Sequence, residues 1–124
     1  MGEITIRTWI DAPVDHCFDL ARSVQVHEES AAFSGERLVA PGRLKGRVEA
    51  GDLLCFEGRH FGMTHRFCTR ITHVDRPHVF VDEQVEGFFK QLRHAHWFSP
   101  HDGGTLMTDH LEWRAPRRAR MDAG

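Results

Sequence analysis

Two histidines one residue apart, His94 and His96, stand inside the apolar and aromatic run QLRHAHWF, Gln91 to Phe98. On a strand, residues i and i+2 share a face, so both imidazoles project to the same side. With carboxylates in reach, such a pair can ligate a metal, move protons or anchor a polar group of a ligand. The carboxylates come from neighbouring runs, Asp82 in HVFVDEQVEG and Asp109 in TLMTDHLEWRA. A turn around Gly87-Phe88 sets Asp82 opposite His94. A turn around Asp102-Gly103 sets Asp109 opposite His94, and Met107 opposite His96. The expected constellation is a row Asp82–His94–Asp109 across three adjacent strands, with opposed Cβ atoms about 5 Å apart. In this register His96 gains no carboxylate partner.

The metal reading is the weaker one. A cupin-like His-x-His pair needs a Glu close downstream, and none follows His96 before Glu112. His60 and His65 can meet across a hairpin, but without a recognised ligand spacing. Histidines satisfied by hydrogen bonds are the more economical account, and neither a metal nor a cofactor is expected. A His between two carboxylates can act as a general base, which makes Asp82, His94 and Asp109 the catalytic candidates. The same cluster serves equally as a buried network that keeps the sheet in register or anchors a ligand. That role is favoured over catalysis. Nucleophilic and nucleotide chemistry lack support: there is no GxSxG, no P-loop and no GxGxxG.

The elements that position these residues follow from periodicity. Glu3 to Ile10 alternates as a strand. In DAPVDHCFDLARS, Pro13 suits the first helical position, and Val14, Cys17, Phe18 and Ala21 make one apolar face. VQVHEES adds a further helical turn. Residues 30 to 50 are loop-like, with one or two short strands. From Gly51 onward, five β runs separated by Gly, Pro and Asp signals read as an antiparallel meander. The class is α+β: one helical unit on one curved antiparallel sheet of about six or seven strands.

Charges decide which strand faces point inward. Glu57 and Arg59 share one face, so Leu54, Phe56, Gly58 and His60 take the other. Arg66 and Arg70 place Met63, His65, Phe67, Thr69 and Ile71 inside. Phe80, Asp82 and Gln84 join them. So do Leu92, His94, His96 and Phe98, and Met107, Asp109, Leu111 and Trp113. The expected ligand contacts are the apolar Phe56, Phe67, Phe80, Phe98 and Met107, with polar anchors from His60, His65, Asp82 and Gln84. His94, His96 and Asp109 complete that polar set. This is more polarity than a packed core would want, and it fits a ligand cavity.

Composition narrows the classes. The chain has 124 residues with 40% hydrophobic and 27% charged side chains, which suits one globular domain. Sixteen basic and 18 acidic residues give a formal charge of −2, so no general field exists for nucleic acid. Ten histidines are an unusual number. Cys17, Cys55 and Cys68 are odd in number and form no CxxC, which disfavours a disulfide framework. Cys55 and Cys68 read as sheet-surface or packing residues. With no signal-peptide pattern and no bilayer-length apolar run, a reduced cytoplasmic setting without membrane insertion is expected.

The blocks RHFGMTHRFCTRIT, RPHVFVDEQVEGFFKQLRHAHWF and GGTLMTDHLEWRAP resemble the helix-grip superfamily called SRPBCC or START-like, and within it an uncharacterised bacterial subgroup. DAPVDHCFDLARSVQVHEES resembles its first helices. The resemblance covers the chain to Pro116. It implies a ligand-binding domain over residues 1–116, followed by a short basic tail, 117–124. It also implies a seven-stranded sheet gripping a long C-terminal helix, with a cavity for lipids, sterols, polyketides or similar molecules. Relatives of cyclase/dehydrase type work by shaping a flexible substrate there. After Pro116 the segment RRARMDAG has almost nothing apolar, so the long C-terminal helix is expected to be missing. The expectations are therefore three: binding of a small hydrophobic ligand, a cyclase/dehydratase-like enzyme, or a homodimer or higher oligomer covering the open face.

Overall fold

The computed structural model describes residues 1–116; the expected basic tail lies outside them. Strand β1 (Gly2–Ile10) is followed by α1 (Val14–Ala21) and α2 (Val24–Phe33). Then come β2 (Glu36–Leu38), β3 (Leu53–His60), β4 (Met63–Asp75), β5 (Val79–Glu86), β6 (Gln91–His101) and β7 (Gly104–Arg114). All seven strands form one antiparallel sheet in the order β1-β7-β6-β5-β4-β3-β2. Long strands joined by tight hairpins produce the meander, and β1 closes it against β7 from the other end of the chain.

The helices pack on the concave side because only there does the apolar stripe of α1 find a partner. Phe18 is fully buried and meets Phe80 and Phe98 edge-on, with ring centroids 5.6 and 5.2 Å away. Val24, Leu38, Val48, Leu54 and Ile71 form a second cluster toward β3 and β4. Buried Arg22 ties the two regions together. Its Nη1 donates to the Val48 carbonyl at 3.0 Å and to Glu49 at 2.6 Å. Asp19 accepts two hydrogen bonds from Arg76, which clamps α1 to the turn between β4 and β5. The Arg76 guanidinium, helped by the charges of Arg76 and Arg47, outweighs burial and holds the Asp19 carboxyl at about 2.

Helix α2 is longer than the single turn expected. The Ser23 side chain accepts from the Val26 N–H and caps its start, and Val24 and Ala31 anchor it by burial. The disulfide expectation is overturned. Cys55 lies opposite Cys68 in the β3–β4 register, and the two are bonded. A count of cysteines cannot reveal such a pair, because only register decides which two side chains meet. The bridge also removes the support that the cysteine count lent to a reducing compartment. It is buried on the face away from the helices, where the chain crosses close over it. A Cβ at Gly42 would stand 2.5 Å from the Cys55 nitrogen, so only glycine permits the crossing.

Candidate functional site

Strand faces are as the charges dictate: Leu54, Phe56, Phe67, Thr69, Phe80, Asp82, His94, His96, Met107 and Asp109 all lie on the concave side. Asp82 stands opposite His94, as expected. The β6–β7 register does not follow the expected row. His94 faces Leu111, His96 faces Asp109, and Phe98 faces Met107. The reason is the turn. Asp102 and Gly103 have φ of 47° and 78°, a two-residue type I′ loop that closes His101 on Gly104 and moves every partner by two residues. A shift of two keeps each face and changes each partner.

The result is a four-residue cluster centred on His96. Its Nε2 donates to Asp82 at 2.7 Å, diagonally across the β5–β6 pair, while its Nδ1 lies 3.3 Å from Asp109. The Nε2 of His94 donates to the same Asp109 oxygen at 2.8 Å. Asp82 also accepts from the Thr69 hydroxyl at 2.9 Å. The rings of His94 and His96 stack with centroids 3.6 Å apart, and His96 stacks in turn on Phe80 at 4.1 Å. His96, not His94, holds two carboxylates.

Burial opposes every charge here, and mutual pairing overcomes it. Desolvation pushes His96 down, but its bonds to Asp109 and Asp82 and their charges leave it raised. Desolvation pushes Asp82 up, yet the hydrogen bond from His96 and the imidazole charges leave it lowered. Asp109 is lowered in the same way by His94 and His96. The core of the cluster is therefore His96 held between two aspartates, a pairing that favours its protonated form. Sequence reasoning missed one neighbour, His27 on α2. Burial lowers its pKa, its Nε2 meets the Ala21 carbonyl at 2.9 Å, and it feels the charges of His96, Asp82 and His94. Nothing in the spacing of VQVHEES points it toward the sheet.

Ligand atoms of Asp82, His94 and His96 lie within 4.8 Å of one another, close enough to suggest a metal. Their orientation argues otherwise. The two rings are only 21° from parallel, so their in-plane lone pairs run side by side and do not converge on one ion.

The remaining candidates separate into two groups. Phe80 and Phe98 lie under Phe18 and are core wall, with Met107 packed against them. His65, Phe67 and Gln84 instead line an open groove of about 530 Å³ together with Gly87, Phe88 and Phe89. Phe56 stacks on Phe67 at 6.3 Å, and His60 tilts against His65 at 5.8 Å. Gln84 braces the β5–β6 turn through both its amide atoms to Phe89. Asp82 and Thr69 follow Gln84 and Phe67 by one step on the same face, so the cluster adjoins the inner end of the groove.

No protein-family model and no curated protein matches the sequence. Solved structures do match. CV1439 from Chromobacterium violaceum superposes with a TM-score of 0.71 at 12% identity, over 98% of this chain and 85% of its own. Ginseng major latex-like protein 151 from Panax ginseng gives 0.67 at 15%, over 94% and 80%. Ms6760 from Mycobacterium smegmatis gives 0.66 at 21%, over 91% and 73%. This is the helix-grip fold. Identities this low establish the fold and leave the chemistry to the site. Ile4 and Ile6, on the concave face opposite Leu111 and Asp109, are about half exposed.

Proposed function

We propose that this helix-grip protein binds a small, largely hydrophobic molecule on the concave face of its sheet, with His94 as the polar anchor. One observation carries the reading. The His94 ring is held from behind by Asp109 and His96, yet its side chain remains 24% exposed, and its register partner Asp82 lies one same-face step along β5 from Gln84, which lines the groove. Because Asp109 is a carboxylate and can only accept, Nε2 of His94 is the donor of the bond between them, so in the neutral tautomer Nδ1 is the acceptor. The His94 Nδ1 then offers a lone pair, and among the described residues it has no hydrogen-bond partner. A ligand hydroxyl or enol fits that acceptor, while Phe67, Phe88 and Phe89 supply apolar surface.

The test is native mass spectrometry of the purified protein for a co-purifying small molecule, followed by titration with an anilinonaphthalene sulfonate probe and competitors. The best competitor should lose about tenfold in affinity to His94→Ala, the weight of one hydrogen bond. No micromolar binder, or equal affinity in the variant, overturns the reading.

The free acceptor of His94 also suits a general base in cyclase or dehydratase chemistry. Its mark is turnover abolished in His94→Ala with substrate binding retained. The half-exposed Ile4 and Ile6 favour, as a separate reading, a second copy of the chain against that part of the concave face. Sedimentation equilibrium decides that one: a dimer supports it, and a monomer at all concentrations rejects it.

A further inference from the structure

The most unusual residue outside the cluster is Phe61. It occupies the first position of the two-residue loop between β3 and β4, with φ of 55°, followed by Gly62 at 76°. Both central residues of this turn need positive φ, a place for Asn, Asp or Gly. A phenylalanine there sits in an unfavourable backbone region. Its ring is fully exposed and returns nothing to the core. Neither turn chemistry nor packing accounts for it.

Phe61 is not alone. Antiparallel topology puts the β3–β4 and β5–β6 turns at the same end of the sheet. The second turn carries Phe88, which is 75% exposed. Met63 is exposed beside the first turn. Phe33, at the end of α2, is 96% exposed and reaches the same end, because Glu36 of β2 pairs with Gly58 just before the turn. Each tip also carries a cation with no carboxylate partner among the described residues. Arg59 donates to the Gly62 carbonyl beneath Phe61, and Lys90 follows Phe88 and Phe89. The other arginines near this end, Arg37 and Arg66, are paired with Glu57 and Glu86. The groove lined by Phe67, Phe88 and Phe89 opens between the same two tips.

We infer that the Phe61 and Phe88 hairpin tips, flanked by Arg59 and Lys90, dock on an anionic lipid surface and set the mouth of the groove against it. Two projecting aromatic rings bury apolar area at the headgroup boundary, and the free cations match anionic phosphates. A second copy of the chain fits less well, since it would bring Arg59 and Lys90 against their own kind. This extends the ligand reading above by giving an apolar ligand its route, and it rests on that reading only for what passes through the mouth.

The experiment is co-sedimentation with phosphatidylcholine vesicles, with and without about a third phosphatidylglycerol, at low and high salt. Binding to the anionic vesicles that weakens with salt is expected. The Phe61→Ser/Phe88→Ser pair should reduce it about tenfold or more, and Arg59→Gln/Lys90→Gln should remove the preference for anionic lipid. In Phe61→Trp, indole emission should shift to the blue on adding vesicles, which reports insertion without deleting the ring. Absence of vesicle binding, binding unchanged in the double serine variant, or tips that instead mediate self-association each overturn the inference. Ligand titration without vesicles separates the two proposals. In the unaltered protein, absence of vesicle docking with ligand binding intact in solution removes only this inference, and docking without any ligand binding removes only the ligand reading.

Discussion

His94 and His96 stack face to face, ring centroids 3.6 Å apart, yet they are unequal partners in the cluster. His96 holds both Asp82 and Asp109 with only 10% of its side chain exposed, whereas His94 holds Asp109 alone. Removing His96 strands two carboxylates against the sheet. His96→Ala is expected to destabilise the fold by about 3 kcal/mol in urea unfolding. His94→Ala, which deletes one hydrogen bond at a partly exposed position, should cost about 1 kcal/mol. Equal losses would show that the triplet is not the anchoring unit.

The same cluster sets a pH window. His96 is raised in the folded state, so its contribution is complete below the unfolded value of about 6.5 and fades as pH rises through the folded value. Asp82 and Asp109 are lowered, so theirs is complete above about 4 and fades as pH falls through their folded values. His27, lowered by burial, removes stability as pH drops below about 6.5. Stability should therefore fall as pH rises above about 6.5, and His96→Gln should flatten that limb. Thermal melts across pH 5 to 9, on the order of half a unit apart, would show it; an unchanged limb in the variant contradicts the assignment.

Cys55 and Cys68 close a loop of sequence separation 13. A bridge of that span is worth about 3 kcal/mol through the unfolded chain. Unfolded, unreduced protein should titrate one thiol, Cys17, and the Cys55→Ser/Cys68→Ser pair should lose about that stability. Three thiols in protein prepared without reductant would contradict the pairing.

Phe18 connects α1 to the sheet through Phe80 and Phe98. Phe18→Ala should cost about 4 kcal/mol by emptying that contact. The tip at Phe61 makes no such contribution, and serine there should leave the melting temperature no lower, while serine at Phe88, which is three-quarters exposed and touches Phe89 edge-on, should cost far less than Phe18→Ala. A large loss at the tips would mean that they pack against something in the folded chain.

Much of this architecture is readable from residue order. Charges such as Glu57 and Arg59 in β3, or Arg66 and Arg70 in β4, can stand only in water, and with a period of two they assign the opposite face of each strand to the interior. Asp82 opposite His94 followed from the turn at Gly87. Asp109 opposite His94 did not follow, because that pairing needs a loop centred one residue earlier, whereas the loop centred on Asp102-Gly103 pairs His94 with Leu111. The Cys55–Cys68 bridge and the approach of His27 were invisible for a related reason: each joins residues whose meeting depends on how one element lies over another.

The sequence by itself determined the meander, its concave face and the residues that line it, since side-chain alternation along a strand is a local property. Only the tertiary structure decided that His96 takes both carboxylates and that Phe80 and Phe98 are lost to the core. A register slip of two residues leaves every face unchanged and exchanges every partner, so the pattern of faces carries no record of it. The closing geometry of one turn, summed with the packing of α1 and α2, supplies what the alternation leaves open.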